Sequence, residues 1–96
     1  MLKVTGGKGF QMTFANGWTV SVQWGSGNYS DHYSRIARDG ESWENVERSV
    51  GEQGSKTAEI AAWDANKTWY DFGGDTVKGY VSADEVAKFI HFIASK

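Results

Sequence analysis

The stretch from Phe10 to Trp24 leaves this chain little choice of local structure. Phe10, Met12 and Phe14 alternate with Gln11 and Thr13. After Ala15-Asn16-Gly17, Trp18, Val20, Val22 and Trp24 alternate with Thr19, Ser21 and Gln23. A period of two in β-branched and aromatic residues, folded about Asn-Gly, is the pattern of a β-hairpin. Two registers compete. A two-residue turn pairs Ala15 with Trp18 and puts the apolar residues of the two strands on opposite faces. A three-residue loop, with Gly17 as a left-handed bulge residue, pairs Phe14 with Trp18, Met12 with Val20 and Phe10 with Val22. Only the second gathers the apolar side chains on one face, and one-sided burial fixes register. The bulged hairpin is therefore expected. Its other face (Gln11, Thr13, Thr19, Ser21, Gln23) is expected to be polar and wet, with no second layer on it.

The C-terminal end is as strongly patterned. Ser82-Ala83-Asp84-Glu85 reads as a capping box, in which hydroxyl and carboxylate satisfy free amides at a helix start. Val86, Phe89, Ile90 and Ile93 follow at helical spacing, predicting an amphipathic helix to about Ser95 with Lys88 and His91 on its polar side. Before it, Ala58 to Trp63 alternates as a third strand, Asp64 to Lys67 is turn chemistry, and Thr68 to Phe72 is predicted as a fourth strand. Gly73-Gly74-Asp75 is a second turn, and Val77 to Val81 is a short fifth strand or an extended lead into the helix. Lys3 to Gly9 is a flexible or edge-strand lead-in. The fold expected is α+β: an antiparallel β-sheet of two hairpins, four to five strands, with one C-terminal amphipathic helix packed on one face.

Ninety-six residues allow a single domain, residues 1–96. Within it, 34–56 reads as a polar loop insertion, with a short helix in Glu41 to Val50 carried by Trp43, Val46 and Val50 and capped by Ser42. The chain has no cysteine, which removes disulfides, thiolate zinc sites and cysteine nucleophiles. Ten basic against twelve acidic residues, with no basic cluster, argue against nucleic-acid binding. No apolar run approaches the roughly 18 residues of a membrane helix. Met1 to Phe10 lacks the pattern of a secretion signal, so the expected location is the cytoplasm.

Chemistry finds few candidates. His91 falls on the wet side of the helix. His32, beside Asp31, has the composition of an oriented base, but adjacency to Ser30 does not make a triad. Turn formation and the helix dipole account for Asp64, Asp71, Asp75, Asp84 and Glu85. Gly6-Gly7-Lys8-Gly9 and Gly25-Ser26-Gly27 lack the residues and context of phosphate loops. No enzyme activity, metal site or cofactor is expected.

The aromatic residues point elsewhere, and there are fourteen of them. Parity and helical spacing assign Phe10, Phe14, Trp18, Tyr70, Phe72 and Phe89 to the core and leave Trp63, Trp69, Tyr80 and Phe92 open. Trp24, Tyr29, Tyr33 and Trp43 crowd the Gly25–Tyr33 loop and the charged segment after it. Aromatics anchor interfaces. With Asn28, these four form the expected contact surface.

The run Phe10-Gln11-Met12-Thr13-Phe14-Ala15-Asn16-Gly17-Trp18-Thr19-Val20-Ser21-Val22-Gln23-Trp24-Gly25-Ser26-Gly27-Asn28-Tyr29 resembles small uncharacterised proteins encoded by tailed bacteriophages and prophages. Ala58 to Asp64 and Val77 to Val86 are similar to the C-terminal half of those proteins, whereas the segment near 34–56 is longer here. The resemblance implies a host-directed accessory role: binding, and inhibiting, a bacterial host or defence protein. The expected function is accordingly a non-enzymatic binding protein with a host protein as partner. The alternatives are a domain sequestering a small molecule or nucleotide through the Gly25–Tyr33 loop, and a minor hydrolase centred on Asp31 and His32. A strand edge within Lys3–Gly9 or 76–81 also offers a second copy a pairing site for a homodimer.

Overall fold

The computed structural model describes residues 1–6, 8–24 and 55–96. They form one antiparallel sheet in the order β1 (Leu2–Val4), β2 (Gly9–Thr13), β3 (Thr19–Gln23), β4 (Thr57–Trp63), β5 (Lys78–Ser82), followed by helix α1 (Ala83–Ala94). The architecture is the expected α+β sheet with a C-terminal helix.

The first hairpin has the bulged register. Phe10 pairs with Val22, Met12 with Val20 and Thr13 with Thr19. The loop closes through Phe14 N–H to the Trp18 carbonyl and Gly17 N–H to the Phe14 carbonyl, with Gly17 at φ 89°. A left-handed residue at this point is what only glycine adopts cheaply. Val20, Val22, Ala58, Ile60, Ala62 and Val81 thus share one face, and Phe89 and Ile93 of α1 seal it. Val20, Val81 and Ile93 are fully buried, each contributing about 2 kcal/mol by removal from water. The innermost core is mainly aliphatic. Of the six aromatics assigned to it, only Phe89 is buried, while Phe10, Phe14, Trp18, Tyr70 and Phe72 pack around its rim.

Three expectations need correction. Thr68 to Phe72 is not a strand. Its backbone pairs with β4 through a Trp63–Trp69 bridge and a bond from Tyr70 N–H to the Ala62 carbonyl, and goes no further. Lys67, at φ 65°, closes the turn that returns the chain to β4, but the Asp71 carboxylate then accepts from Gly73 and Gly74 N–H at 2.9 and 2.6 Å, so the backbone turns away from the ladder. The partner of β4 is instead β5, through a register shift between Ala58 and Ile60. Second, the polar face is not uniformly wet: Thr19 and Ser21 are 8% and 7% exposed. Their short side chains lie on the central strand between longer neighbours, with Thr13 Oγ1 at 2.9 Å from Thr19 Oγ1 and Gln23 Nε2 donating to Ser21 Oγ at 3.2 Å. Third, the capping box is half made. Ser82 Oγ accepts from Glu85 N–H, but the Glu85 carboxylate receives the Ser82 hydroxyl and reaches Lys78 at 3.5 Å rather than returning to an amide.

The far end of α1 is tied to the hairpin. Asn16 Oδ1 accepts from Trp18 N–H at 3.0 Å, while its Nδ2 donates to the carbonyls of Ile93 and Lys96 at 2.9 and 3.2 Å. The Lys96 ammonium covers the rings of Phe92 and Trp18 at 4.6 and 5.1 Å. No helix among the described residues is long and apolar enough to cross a membrane.

Candidate functional site

Trp24 continues the parity of Val20 and Val22, so its indole turns to the helix side of the sheet. There it is half-buried and meets Phe10 edge to face, with ring centroids 6.2 Å apart. The backbone fixes this corner as well, since Trp24 N–H donates to the Lys8 carbonyl at 2.7 Å. Trp24 and Phe10 flank a groove of about 350 Å³ where the sheet meets the start of α1. Val22, Ala58 and Val81 contribute to it from the strands and Val86 from the helix, with Ser55 and Lys56 also on its lining. The lining is predominantly apolar. Among the described residues, every buried polar side-chain atom already has a hydrogen-bond partner.

Of the five residues expected to form a contact surface, only Trp24 can be placed. Asn28, Tyr29, Tyr33 and Trp43 lie outside the described residues, as do Ser30, Asp31, His32, the Gly25–Gly27 run and the helix expected in Glu41–Val50. Trp24 is better described as an outer wall of the core than as a loop residue, because it packs against the buried cluster. Phe10 and Val86, which complete the groove with it, were assigned to the core and to the helix stripe. The parity of Phe10 with Val22 and the helical spacing of Val86 were the signals available.

A second, shallower hollow of about 300 Å³ lies along α1, lined by Tyr70, Phe72, Phe89 and Phe92 with Lys78 and Glu85 beside them. Its rings contact one another edge-on or tilted, Tyr70 to Phe72 at 4.9 Å and Phe72 to Phe89 at 5.2 Å. The Lys78–Glu85 pair is exposed and adds little stability. Trp63 and Trp69 stack at 4.8 Å on the other side of the sheet. His91 is exposed, and among the described residues no three metal-ligating side chains converge. The Asp71 carboxyl is held below its ordinary value of 3.8 by the N–H groups of Gly74 and Gly73. That shift belongs to a turn, not to a reaction centre.

No family model matches the chain, and neither a curated protein nor a solved structure matches it. The groove beside Trp24 therefore has to be read from its own geometry.

Proposed function

We propose that this chain is a non-enzymatic binding protein of the phage accessory type, acting in the bacterial cytoplasm by seating an apolar side chain of a host protein in the Trp24 groove. The observation that carries the reading is the groove itself: about 350 Å³, apolar, and walled by a Trp–Phe pair rather than by convergent polar groups. Pockets of this kind accept a buried anchor residue, and tryptophan is among the residues whose truncation costs an interface most. A polar substrate would find few groups there to orient it. Ser55, Lys56 and Thr57 give the lining a polar margin, the usual makeup of an interface with an apolar centre.

The test is capture from a bacterial lysate by the tagged chain, with Trp24→Ala and Val86→Glu as paired variants whose cooperative unfolding is verified first. The wild type should retain one stoichiometric protein, which a photo-crosslinker at Lys56 should join covalently. Both variants should release it. Retention by both variants, or crosslinks appearing only elsewhere on the chain, would remove the groove from the function.

A further inference from the structure

We propose that the edge of β1, unpaired among the described residues, takes up an extended segment of the partner protein as a sixth strand, and that this segment alternates apolar with acidic side chains. The inference rests on the binding reading above and names the backbone that does the binding.

The two edges of the sheet are finished differently. The β5 edge is irregular: its ladder slips between Ala58 and Ile60, and Tyr80 is forced to φ 55°. Bulges of this kind are a common way of blunting an edge against strand addition. The β1 edge carries no such device. Leu2, Lys3 and Val4 pair in regular register with Met12, Gln11 and Phe10. Met1 and Thr13 exchange bonds at 2.8 Å, and Thr5 N–H donates to the Gly9 carbonyl at 3.0 Å. Antiparallel alternation then turns the backbone groups of Leu2 and Val4 outward, away from β2.

The side chains along that edge add specificity. Leu2 and Val4 are 75% and 76% exposed and lie on the helix face of the sheet, in the same row as Met12 and Phe10. Among the described residues α1 packs on β3, β4 and β5 but not on β1 or β2. An apolar lane therefore runs from Leu2 and Val4 through Phe10 to the Trp24 groove. Lys3 stands on the opposite face. Together with Lys8 it supplies the side-chain charge of residues 1–24, a stretch without one carboxylate. A strand bonded to Leu2 and Val4 places the residue facing Lys3 within about 5 Å, Cβ to Cβ, where opposite charge is favoured and like charge disfavoured.

The registers open to a second copy are poor. Two-fold pairing centred on Lys3 would set Lys3 against itself, and pairing centred on Leu2 would leave Val4 unpaired among the described residues. Pairing centred on Val4 would bring Leu2 opposite Gly6, whose backbone has left the extended region at φ 58°. A foreign strand with glutamate or aspartate between aliphatic residues avoids these faults.

The experiment uses the full chain and two capped heptapeptides, Thr-Val-Glu-Val-Glu-Val-Thr and its lysine counterpart, followed by amide exchange and chemical shifts. The acidic peptide should slow exchange at Leu2 and Val4 and bind at least about fivefold more tightly than the basic one. Lys3→Glu should invert that preference. Val4→Pro should abolish binding while leaving the β1–β2 bonds in place, since it removes an outward N–H. The proposal is overturned if the acidic peptide leaves Leu2 and Val4 unprotected or if the two peptides bind alike. It is also overturned if those amides become protected with rising protein concentration alone, which would identify a second copy. Trp24→Ala separates the two readings: it should lose the host protein yet keep the peptide, which as a strand outside β1 lies across β1 and β2 from the groove.

Discussion

Asn16 joins two elements that are distant in sequence, and replacing it tests how the helix is held on the sheet. Asn16 Oδ1 accepts from Trp18 N–H at 3.0 Å and Nδ2 donates to the Ile93 and Lys96 carbonyls at 2.9 and 3.2 Å, with a longer contact to Ala94 at 3.4 Å. A net hydrogen bond contributes about 1 kcal/mol, less where water competes. Only the Ile93 bond is partly buried, so Asn16→Ala should cost about 2 kcal/mol in all. In a domain of this size that lowers Tm by about 10 °C. Asn16→Asp is the sharper variant. It keeps the acceptor for Trp18 N–H but turns a second oxygen toward carbonyls at the negative end of α1. It should therefore be less stable than Asn16→Ala at neutral pH and recover part of the loss once acid protonates the new carboxyl. Urea and thermal unfolding followed by tryptophan fluorescence would measure both. If Asn16 served only the turn, aspartate would replace it well. Asn16→Asp equal to wild type, or more stable than Asn16→Ala, refutes the tie to the helix.

Other perturbations follow from the same packing. Phe89→Ala removes the helix ring that contacts Tyr70 and Phe72 over the core and should cost about 3–5 kcal/mol in denaturant unfolding, whereas Phe92→Ala, at a ring 46% exposed, should cost far less. Gly9→Ala would put a Cβ 2.0 Å from the Val22 carbonyl oxygen and 2.9 Å from Gln23 Cα, both backbone atoms that no rotamer change can move. A loss of about 3 kcal/mol, with exchange rising along β2 and β3, is expected. The Asp71 carboxyl is lowered below 3.8 by Gly74 and Gly73 N–H, so its stabilising bonds are complete above that value and disappear as pH falls through the lower folded-state value. Carboxyl NMR should place its midpoint below 3.8; a midpoint at or above it would contradict the two bonds.

What the sequence discloses is set by how one-sided its patterns are. The hairpin register was legible because only one of two pairings collects Phe10, Met12, Val20 and Val22 together, and α1 because Ser82 opens a clean apolar stripe. Thr68 to Phe72 misleads for a physical reason. Its residues favour strands, but the Asp71 carboxylate captures Gly73 and Gly74 N–H and ends the pairing after one bridge. Parity assigns a face without giving the length of the neighbours on it. Hence Thr19 and Ser21 read as wet although Thr13, Gln23 and Trp63 stand beside them. Trp24 was legible as a candidate by its position before the glycine-rich loop. Its orientation followed from Val22, two residues earlier. An edge strand was legible near Lys3–Gly9, but its bounds, Leu2–Val4, were not, because three residues carry almost no periodicity.

The placement of both candidate surfaces has one geometric origin. Five strands at about 4.8 Å spacing make a sheet about 19 Å across, whereas one helix with its side chains is about 10 Å wide. Being shifted toward β4 and β5, α1 covers the aliphatic centre and leaves the helix face of β1 and β2 without a second layer among the described residues. A sheet residue there must be polar, or be covered by something else. Lys3, Gln11 and Thr13 follow the first course on the opposite face, but Leu2, Val4, Phe10 and Met12 do not follow it on this one. An apolar row maintained where the fold's own helix cannot reach contributes little to the monomer's stability, since Leu2 and Val4 remain three-quarters exposed. On the proposed reading, its energetic return comes when a partner's strand lies over it. The same row ends at the half-buried Trp24, so among the described residues the strand edge and the groove are two parts of one strip.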